Sequence, residues 1–400
     1  MAMGGHSLGG PFTGDQSPPG RAYGGAGATA ASDTLIEASR FTANAARGGG
    51  ANRYSGTGKA QGGALWIDGN VVAADTSFSQ NQAVSGSFSS LNTDGRGGAI
   101  HNGGSTVLLR CAIYSNTAIG GSAGDFGTVI VAYPGGHGLG GGVFNAGQLA
   151  TTNCSFFLNS ALGGNPGYNE GLPGSGLGGG IYNDAVGTVD AMNITVSSNI
   201  VAPGRRWLYQ GTAGGASVAN QTNGTLRLRN SILATVSTNS NGWGVIMDGG
   251  YNLSSDASVA LDSGTSFSSA DPLLAPPANN GGPTLTLALL TGSPAIDAGA
   301  AEGAPVNDQR AFCRPAGAGV DIGAYESGAV EPLRLNLVRN NESITLMFQL
   351  PAGFGTRLQS SSTGPDNWAD LETFPSTPEP QSISRAYPFN EGKSRLFRLH

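Results

Sequence analysis

Apolar and polar residues alternate in short bursts along the first half of the chain, and the bursts recur. Val72, Ala74, Thr76 and Phe78 form one series, Val107, Leu109, Cys111 and Ile113 the next, and Ala150, Thr152, Cys154 and Phe156 a third. Met192, Ile194 and Val196 follow less cleanly, then Leu226, Leu228, Asn230 and Ile232. Period-two alternation, enriched in Val, Ile, Thr and Phe, marks strands with one buried face. Each series lies inside a unit that opens on paired glycines and closes on asparagine. Gly62-Gly63-Ala64-Leu65 runs to Phe78-Ser79-Gln80-Asn81, and Gly97-Gly98-Ala99-Ile100 to Ile113-Tyr114-Ser115-Asn116. Gly140-Gly141-Gly142-Val143 runs to Asn159 and Gly178-Gly179-Gly180-Ile181 to Asn199; a weaker copy spans Gly24 to Asn44, and Gly214-Gly215 opens one more.

A unit of about twenty residues is too short for two helices and a turn. It cannot bury its own apolar face, so units must stack on one another. Matching columns predict parallel, in-register strands about 4.8 Å apart. The pattern therefore predicts an all-β chain: a three-sided coil winding as a right-handed parallel β-helix, followed by a small antiparallel β-sandwich. In that solenoid Asn44, Asn81, Asn116, Asn159 and Asn199 fall in single file. Stacked amides satisfy one another and the backbone at a bend, the simpler reading; a row of ligand contacts is the alternative. The glycine pairs suit a positive-φ turn. They are not a phosphate loop, since no Lys-Ser/Thr follows them.

One column carries candidate chemistry. After Leu65, Ile100, Val143, Ile181 and Ser217 come Trp66, His101, Phe144, Tyr182 and Val218. With the aliphatic residues inside, alternation turns Trp66, His101, Phe144 and Tyr182 outward as a strip about 14 Å long. Rigid ring faces of that extent suit a bound glycan. The competing reading buries the strip as a satellite core beneath the glycine-rich inserts. Those inserts, Ala45 to Gln61, Gln82 to Arg96, Thr117 to Leu139, Ser160 to Leu177 and Ile200 to Ala213, all follow a closing asparagine and so share one corner. They read either as flexible spacers or as recognition loops bearing Tyr133, Tyr168, Trp207 and Tyr209.

The chain divides into a Gly/Pro-rich segment or partial coil at 1–23, the repeats at 24–236, final coils and a cap at 237–326, a linker at 327–332, and a C-terminal module at 333–400. In that module Leu335 and Leu337, then Ile344, Leu346 and Phe348, then Leu396-Phe397-Arg398-Leu399 give short alternating strands. The linked Gly-Gly-Ala-Ile and Phe-x-x-Asn motifs resemble the repeats of polymorphic outer-membrane proteins and related bacterial surface β-helices. The ordered series Asp271-Pro272-Leu273-Leu274, Asn279-Asn280-Gly281-Gly282-Pro283-Thr284, Ser293-Pro294-Ala295-Ile296-Asp297-Ala298-Gly299, Asp308-Gln309-Arg310, Arg314-Pro315 and Asp321-Ile322-Gly323-Ala324-Tyr325-Glu326 resembles the closing region of choice-of-anchor Q surface proteins. Ala311 departs from that pattern, which has glycine there. The end of the chain is similar to terminal modules that follow large secreted bacterial proteins. These resemblances imply a secreted or surface-displayed, often adhesive, protein.

Composition narrows the functions. Glycine supplies 67 of 400 residues without a period of three, which excludes collagen. A net charge of −6 offers no footprint for nucleic acid, and Arg205-Arg206 is the one basic pair beside aromatics. No apolar run reaches the length that spans a membrane. Met1-Ala2-Met3-Gly4-Gly5-His6 lacks the form of an export signal, so the reading is of a fragment whose N-terminus continues elsewhere. His6, His101, His137 and His400 neighbour no Ser or Cys nucleophile motif, and Cys111, Cys154 and Cys313 show no zinc spacing. Asp297, Asp308, Arg310, Arg314, Asp321 and Glu326 admit a catalytic acid–base reading, although turn-forming Asp–Arg pairs explain them more simply. The expectation is a non-catalytic extracellular or cell-surface β-helix for adhesion or scaffolding, with glycans or cell-surface components as partners. It assigns no catalytic residue, metal or cofactor. The alternative is a polysaccharide lyase or glycoside hydrolase on the same scaffold.

Overall fold

The structure is a computed structural model that describes residues 2–3, 21–30, 33–50, 58–87, 93–124, 133–167, 171–206, 209–235, 238–330, 335–339, 343–350, 356–361, 367–377, 379, 381–388 and 396–399. Tyr168, Trp207, Leu333, His6, His400 and most of the 1–23 segment lie outside the described residues. The chain forms two compact units, Met1–Val330 and Glu331–His400. No helix occurs among the described residues.

The first unit is a parallel β-helix. One coil serves for all: Gly95–Arg96, Ile100–Asn102, Ser105–Leu109, Ala112–Tyr114 and Thr117–Ile119 each pair in parallel with the same strand one coil before and after. Five ladders result, of six to eight strands each. Phe78 lies opposite Ile113, Ile113 opposite Phe156 and Phe156 opposite Val196, so like side chains stack into a continuous apolar interior. Ile246, Val259 and Leu261 pack on this interior where the coils end.

The coil is longer than the repeat predicts. Equivalent asparagines are 35 to 43 residues apart, so the twenty-residue unit supplies three ladders and the remaining two come from the stretches read as inserts. The strand phase differs too. Val71, Thr106, Leu149, Val189 and Leu226 point inward, whereas Val72 and Val107 are exposed. Alternation does not run through the bend after this ladder, because Asp75, Arg110, Asn153, Asn193 and Asn230 adopt left-handed backbone there, with φ of 49 to 53°. A single left-handed residue turns the chain without completing a pleat, and the phase slips by one position. At the last coil Val218 is the inward partner of Ile181 and Ala219 takes the place opposite Tyr182, which corrects the assignment of Ser217 and Val218.

Polar ladders run parallel to the apolar one. Asn44, Asn81, Asn116, Asn159 and Asn199 form the predicted file, each Nδ2 donating to the next Oδ1 at 2.9 Å. That same Oδ1 also accepts the preceding asparagine's backbone N–H, and Nδ2 of Asn116 donates further to Phe78 O at 2.9 Å. Every side-chain amide atom of Asn81, Asn116 and Asn159 is used. A second file, Asn102, Asn145, Asn183 and Asn220, repeats the design on the other side of the coil with links of 2.7 to 2.8 Å.

The stems of the inserts are ordered by glycine. Gly58 donates to Gly49 O, Gly86 to Gly58 O, Gly121 to Thr93 O, Gly136 to Gly121 O, Gly164 to Gly136 O, Gly174 to Gly164 O and Gly204 to Gly174 O. Outgoing and returning legs of successive inserts therefore alternate in one zigzag of backbone hydrogen bonds. A Cβ at Gly136 would sit 2.0 Å from Thr93 O, so only glycine permits this approach. Stems built this way are not flexible spacers.

Residues 271–326 pack on the side of the coil. They lie along its flank, over the outer face of the ladder that contains Ala112–Tyr114. Ala300 N donates to Asn230 Oδ1, Ala324 N to Thr195 Oγ1 and Thr284 Oγ1 to Arg110 O, while Ser155 Oγ donates to Gln309 Oε1. Leu287 packs with Ala112 and Phe157, and Leu289, Ala295 and Ile322 pack with Ile232 and Leu253.

The second unit holds two three-stranded antiparallel sheets: Asn336–Arg339, Ser343–Leu350 and Gln381–Pro388 in one, Ala369–Phe374, Thr356–Ser361 and Leu396–Leu399 in the other. Leu346, Phe348, Leu350, Leu358, Phe374 and Ile383 form their shared core.

Two stability predictions follow from these contacts. Asn116→Ala leaves the Asn81 donors and Phe78 O unmatched in a dry interior and should cost about 3 kcal/mol or more, whereas Asn44→Ala at the half-buried ladder end should cost about 1 or less, read by chemical denaturation. Gly136→Ala should cost about 2 kcal/mol or more through its backbone clash, against about 1 for Gly264→Ala, where no atom lies within 4 Å and only the positive φ is strained.

Candidate functional site

Trp66, His101, Phe144 and Tyr182 occupy one register column, as the repeat predicts. His101 stacks on Phe144 at 4.9 Å and 16°, and Phe144 on Tyr182 at 5.4 Å and 14°. The strip is not exposed. Phe144 is 0% accessible, Tyr182 3% and His101 7%; Trp66 alone is half-buried, in contact with Tyr23 at 5.3 Å. The cover comes from the neighbouring ladder that contains Gly95–Arg96. Leu139 and Leu177 pack against Phe144 and Tyr182, and the Arg96 guanidinium lies 4.9 Å above the Phe144 ring. The corner between the two ladders thus becomes a satellite core, with the half-buried Trp66 at one end and the half-buried Trp243 at the other.

His101 shows what that burial does. Gln61 Nε2 donates to His101 Nε2 at 2.6 Å, while His101 Nδ1 has no partner. Burial, with Arg96 nearby, pushes the imidazole down to about 3, so it stays neutral across the ordinary pH range. A neutral, enclosed ring is a packing element rather than a proton donor. Burial and Asp184 likewise push the Tyr182 phenol up to about 12.

The flank segment holds the charged cluster, and its atoms are committed to folding that segment. Asp308 receives Arg310 N and Phe312 N on one oxygen and Arg310 Nε and Glu326 N on the other. Glu326 receives Ala316 N, Asp321 N and the Arg314 guanidinium, the last at 2.7 Å. Arg314 also reaches Asp321 O, Gly323 O and Asn153 Oδ1. Arg310 lies between the Phe312 and Tyr325 rings, 4.3 and 3.7 Å from their centres. Asp321 accepts Asp297 N and Ser327 N; burial nonetheless pushes its carboxyl up to about 6. Asp297 accepts Gly319 N. The buried carboxylates of Asp308, Asp321 and Glu326, filled by backbone donors, stabilise turns, whereas Asp297 is exposed.

The left-handed corner column positions this segment. Asn153 Nδ2 donates to Asn307 O, Asn193 Nδ2 to Asp321 O and Gly323 O, and Asn230 Nδ2 to Ala300 O. In the two preceding coils the same positions hold Asp75 and Arg110, whose side chains are bound to each other by two bonds of 2.7 Å.

Clefts open on the surface of this unit among the described residues. One, of about 810 Å³, is lined by Thr238, Asn239, Ser240, Asp256, Ser258 and Asp271. A second, of about 350 Å³, lies between Ser197-Ser198 and Pro272 to Pro277. A third, of about 410 Å³, lies where the tip of the flank segment meets the first coils, beside Arg40, Ser77, Ser79 and Tyr114. Among the described residues no group of three or more His, Cys, Asp or Glu could hold a metal ion. Cys111 and Cys154 are buried free thiols in adjacent coils, Cys111 N donating to Cys154 Sγ at 3.3 Å. No helix is long and apolar enough to cross a membrane.

These features define a parallel β-solenoid with a buttressed flank and buried polar ladders. No family model matches the chain, and no curated protein or solved structure matches it.

His101 gives a pH prediction. Its folded value of about 3 lies below the unfolded 6.5, so the folded state binds fewer protons between those values. Stability is complete above pH 6.5 and falls as pH drops through the window, by about 1.4 kcal/mol per pH unit at its steepest. His101→Phe continues the ring column and should flatten this slope between pH 6.5 and 4. Urea unfolding across that range checks it; equal slopes in both proteins would contradict the assignment.

Proposed function

We propose that this chain is a non-catalytic β-helix scaffold for adhesion, working outside the cell or at its surface and presenting its insert corner to glycans or other cell-surface components. One observation carries the reading: the glycine zigzag locks the described insert stems into register along a single corner, so the stems stand in a fixed row. A fixed row of binding groups loses less ordering entropy on contact than mobile loops would, which favours multivalent attachment. The occupied carboxylates of the flank segment favour the scaffold over a lyase or glycoside hydrolase on the same coil. The motifs from Asp271 to Glu326 and the linked Gly-Gly and Asn repeats support a surface protein of the choice-of-anchor Q type with polymorphic outer-membrane-protein-like repeats. Trp66, in contact with Tyr23, is the accessible remainder of the predicted glycan strip.

The test is binding of the full chain to a glycan array and to intact cells, with polysaccharide breakdown followed in parallel. The expected result is saturable binding without release of reducing ends or unsaturated sugars. Binding should weaken about tenfold or more when the insert between Gly121 and Gly136 is shortened, with the unfolding midpoint kept. Polysaccharide breakdown, or binding indifferent to the inserts, would overturn the reading.

A further inference from the structure

The flank segment covers only part of the ladder on which it lies, and the step at its tip creates a site. Asn279 to Leu285 end over Ala112 and Tyr114, held there by Thr284 Oγ1 on Arg110 O. One and two coils earlier the outer face carries Ser77 and Ser79, which are buried, and Arg40 and Thr42, which are exposed. The cleft of about 410 Å³ that results is within the range of small-ligand pockets.

Its lining is chemically selective. The outward column reads Thr42, Ser79, Tyr114, Phe157. Tyr114 stacks on Phe157 at 4.9 Å and 4°, which occupies one ring face. The rung on its other side carries Ser79, too small to cover a ring, so the second face of Tyr114 opens to the cleft. Thr42 and Ser79 hydroxyls meet at 3.2 Å below it, and Ser77 and Asn279 add further hydrogen-bonding groups. Arg40 stands at the edge, exposed, with no ion pair or hydrogen bond among the described residues. It differs in this from Arg96, Arg110, Arg310 and Arg314, each bound to a carboxylate.

We propose that this cleft binds one acidic sugar of the hexuronate class. The ring stacks on the free face of Tyr114, its hydroxyls engage Ser77, Ser79, Thr42 and Asn279, and its carboxylate pairs with Arg40. A pyranose presents an apolar C–H face suited to an aromatic ring and a rim of hydroxyls, and the guanidinium fork matches a carboxylate. The overall charge of −6 does not oppose this, because at physiological salt charges beyond about 8 Å are screened and the pairing is local. The site is separate from the insert corner, so it stands or falls independently of the adhesive reading.

The experiment is isothermal titration and saturation-transfer NMR of the full chain with galacturonate, galactose and acetate. Galacturonate should bind about tenfold or more tightly than either galactose or acetate, the increment of one charge-assisted pair plus stacking. Its ring protons should receive saturation. Arg40→Gln should reduce galacturonate affinity to that of galactose, and Tyr114→Leu should abolish the ring saturation while the unfolding midpoint stays within a few degrees. Equal binding of galacturonate and acetate would reveal a bare anion site and overturn the proposal. Unchanged affinity in Arg40→Gln, or no binding of galacturonate at millimolar concentration, would overturn it as well.

Discussion

Hydrogen bonds that pass along the coil axis, from one asparagine amide to its equivalent in the next coil, are the constraint on which the remainder of the structure depends. Each interior amide of the first file donates twice and accepts twice, with partners in both adjacent coils. A shift of one residue would strand all of these groups in an interior without water, at about 1–3 kcal/mol apiece. Hydrophobic stacking alone tolerates a slip between Ile, Val and Phe; the amide files do not. Register is therefore set to the residue, and two files on opposite sides of the coil set it twice.

Fixed register turns each column into an address. The ring column is continuous because Trp66, His101, Phe144 and Tyr182 share one. The left-handed corner specifies where the flank segment binds: the Asn153, Asn193 and Asn230 side chains engage its backbone, whereas the Asp75 and Arg110 side chains bind each other and Arg110 meets the segment only through its carbonyl, at Thr284. The change from asparagine to an ion pair along one column marks where the covered face ends. Beside that boundary lies the cleft with Arg40 and Tyr114.

Much of this was legible in the sequence, and what was not has identifiable causes. The Gly-Gly opening and Asn closing are local motifs repeated at matching positions, so parallel stacking and the first amide file follow from them. The second file was equally visible, in Ile-His-Asn, Val-Phe-Asn, Ile-Tyr-Asn and Val-Ala-Asn directly after the glycine pair, but the rings preceding the asparagines drew the functional reading. The inward positions of the Ser105–Leu109 ladder were misassigned because period-two alternation cannot register a left-handed residue, although Asp75, Asn153, Asn193 and Asn230 are of the types that favour one. Of the two readings of the ring strip, burial beneath the inserts holds and exposure does not: alternation tells inside from outside the coil, while the cover comes from Arg96, Leu139 and Leu177, the ends of three inserts. The glycine zigzag was hidden by composition, since glycine-rich inserts read as loose when each glycine is taken alone. Packing of 271–326 on the flank rests on contacts such as Asn153 with Asn307, distant in sequence and beyond any local pattern.

The functional account rests on rigidity. Satisfied ladders and a glycine-locked corner make a rod that holds surface groups at fixed spacing, a property suited to attachment. The most direct measurement of its basis is a double-mutant cycle between Asn116 and Asn159, by chemical denaturation of the single and double alanine variants. Adjacent members of one amide file should show a coupling of about 1–2 kcal/mol, with the double variant costing less than the two single losses combined. Strict additivity, with a coupling below about 0.3 kcal/mol, would mean that the amides do not act as a file and would contradict the account.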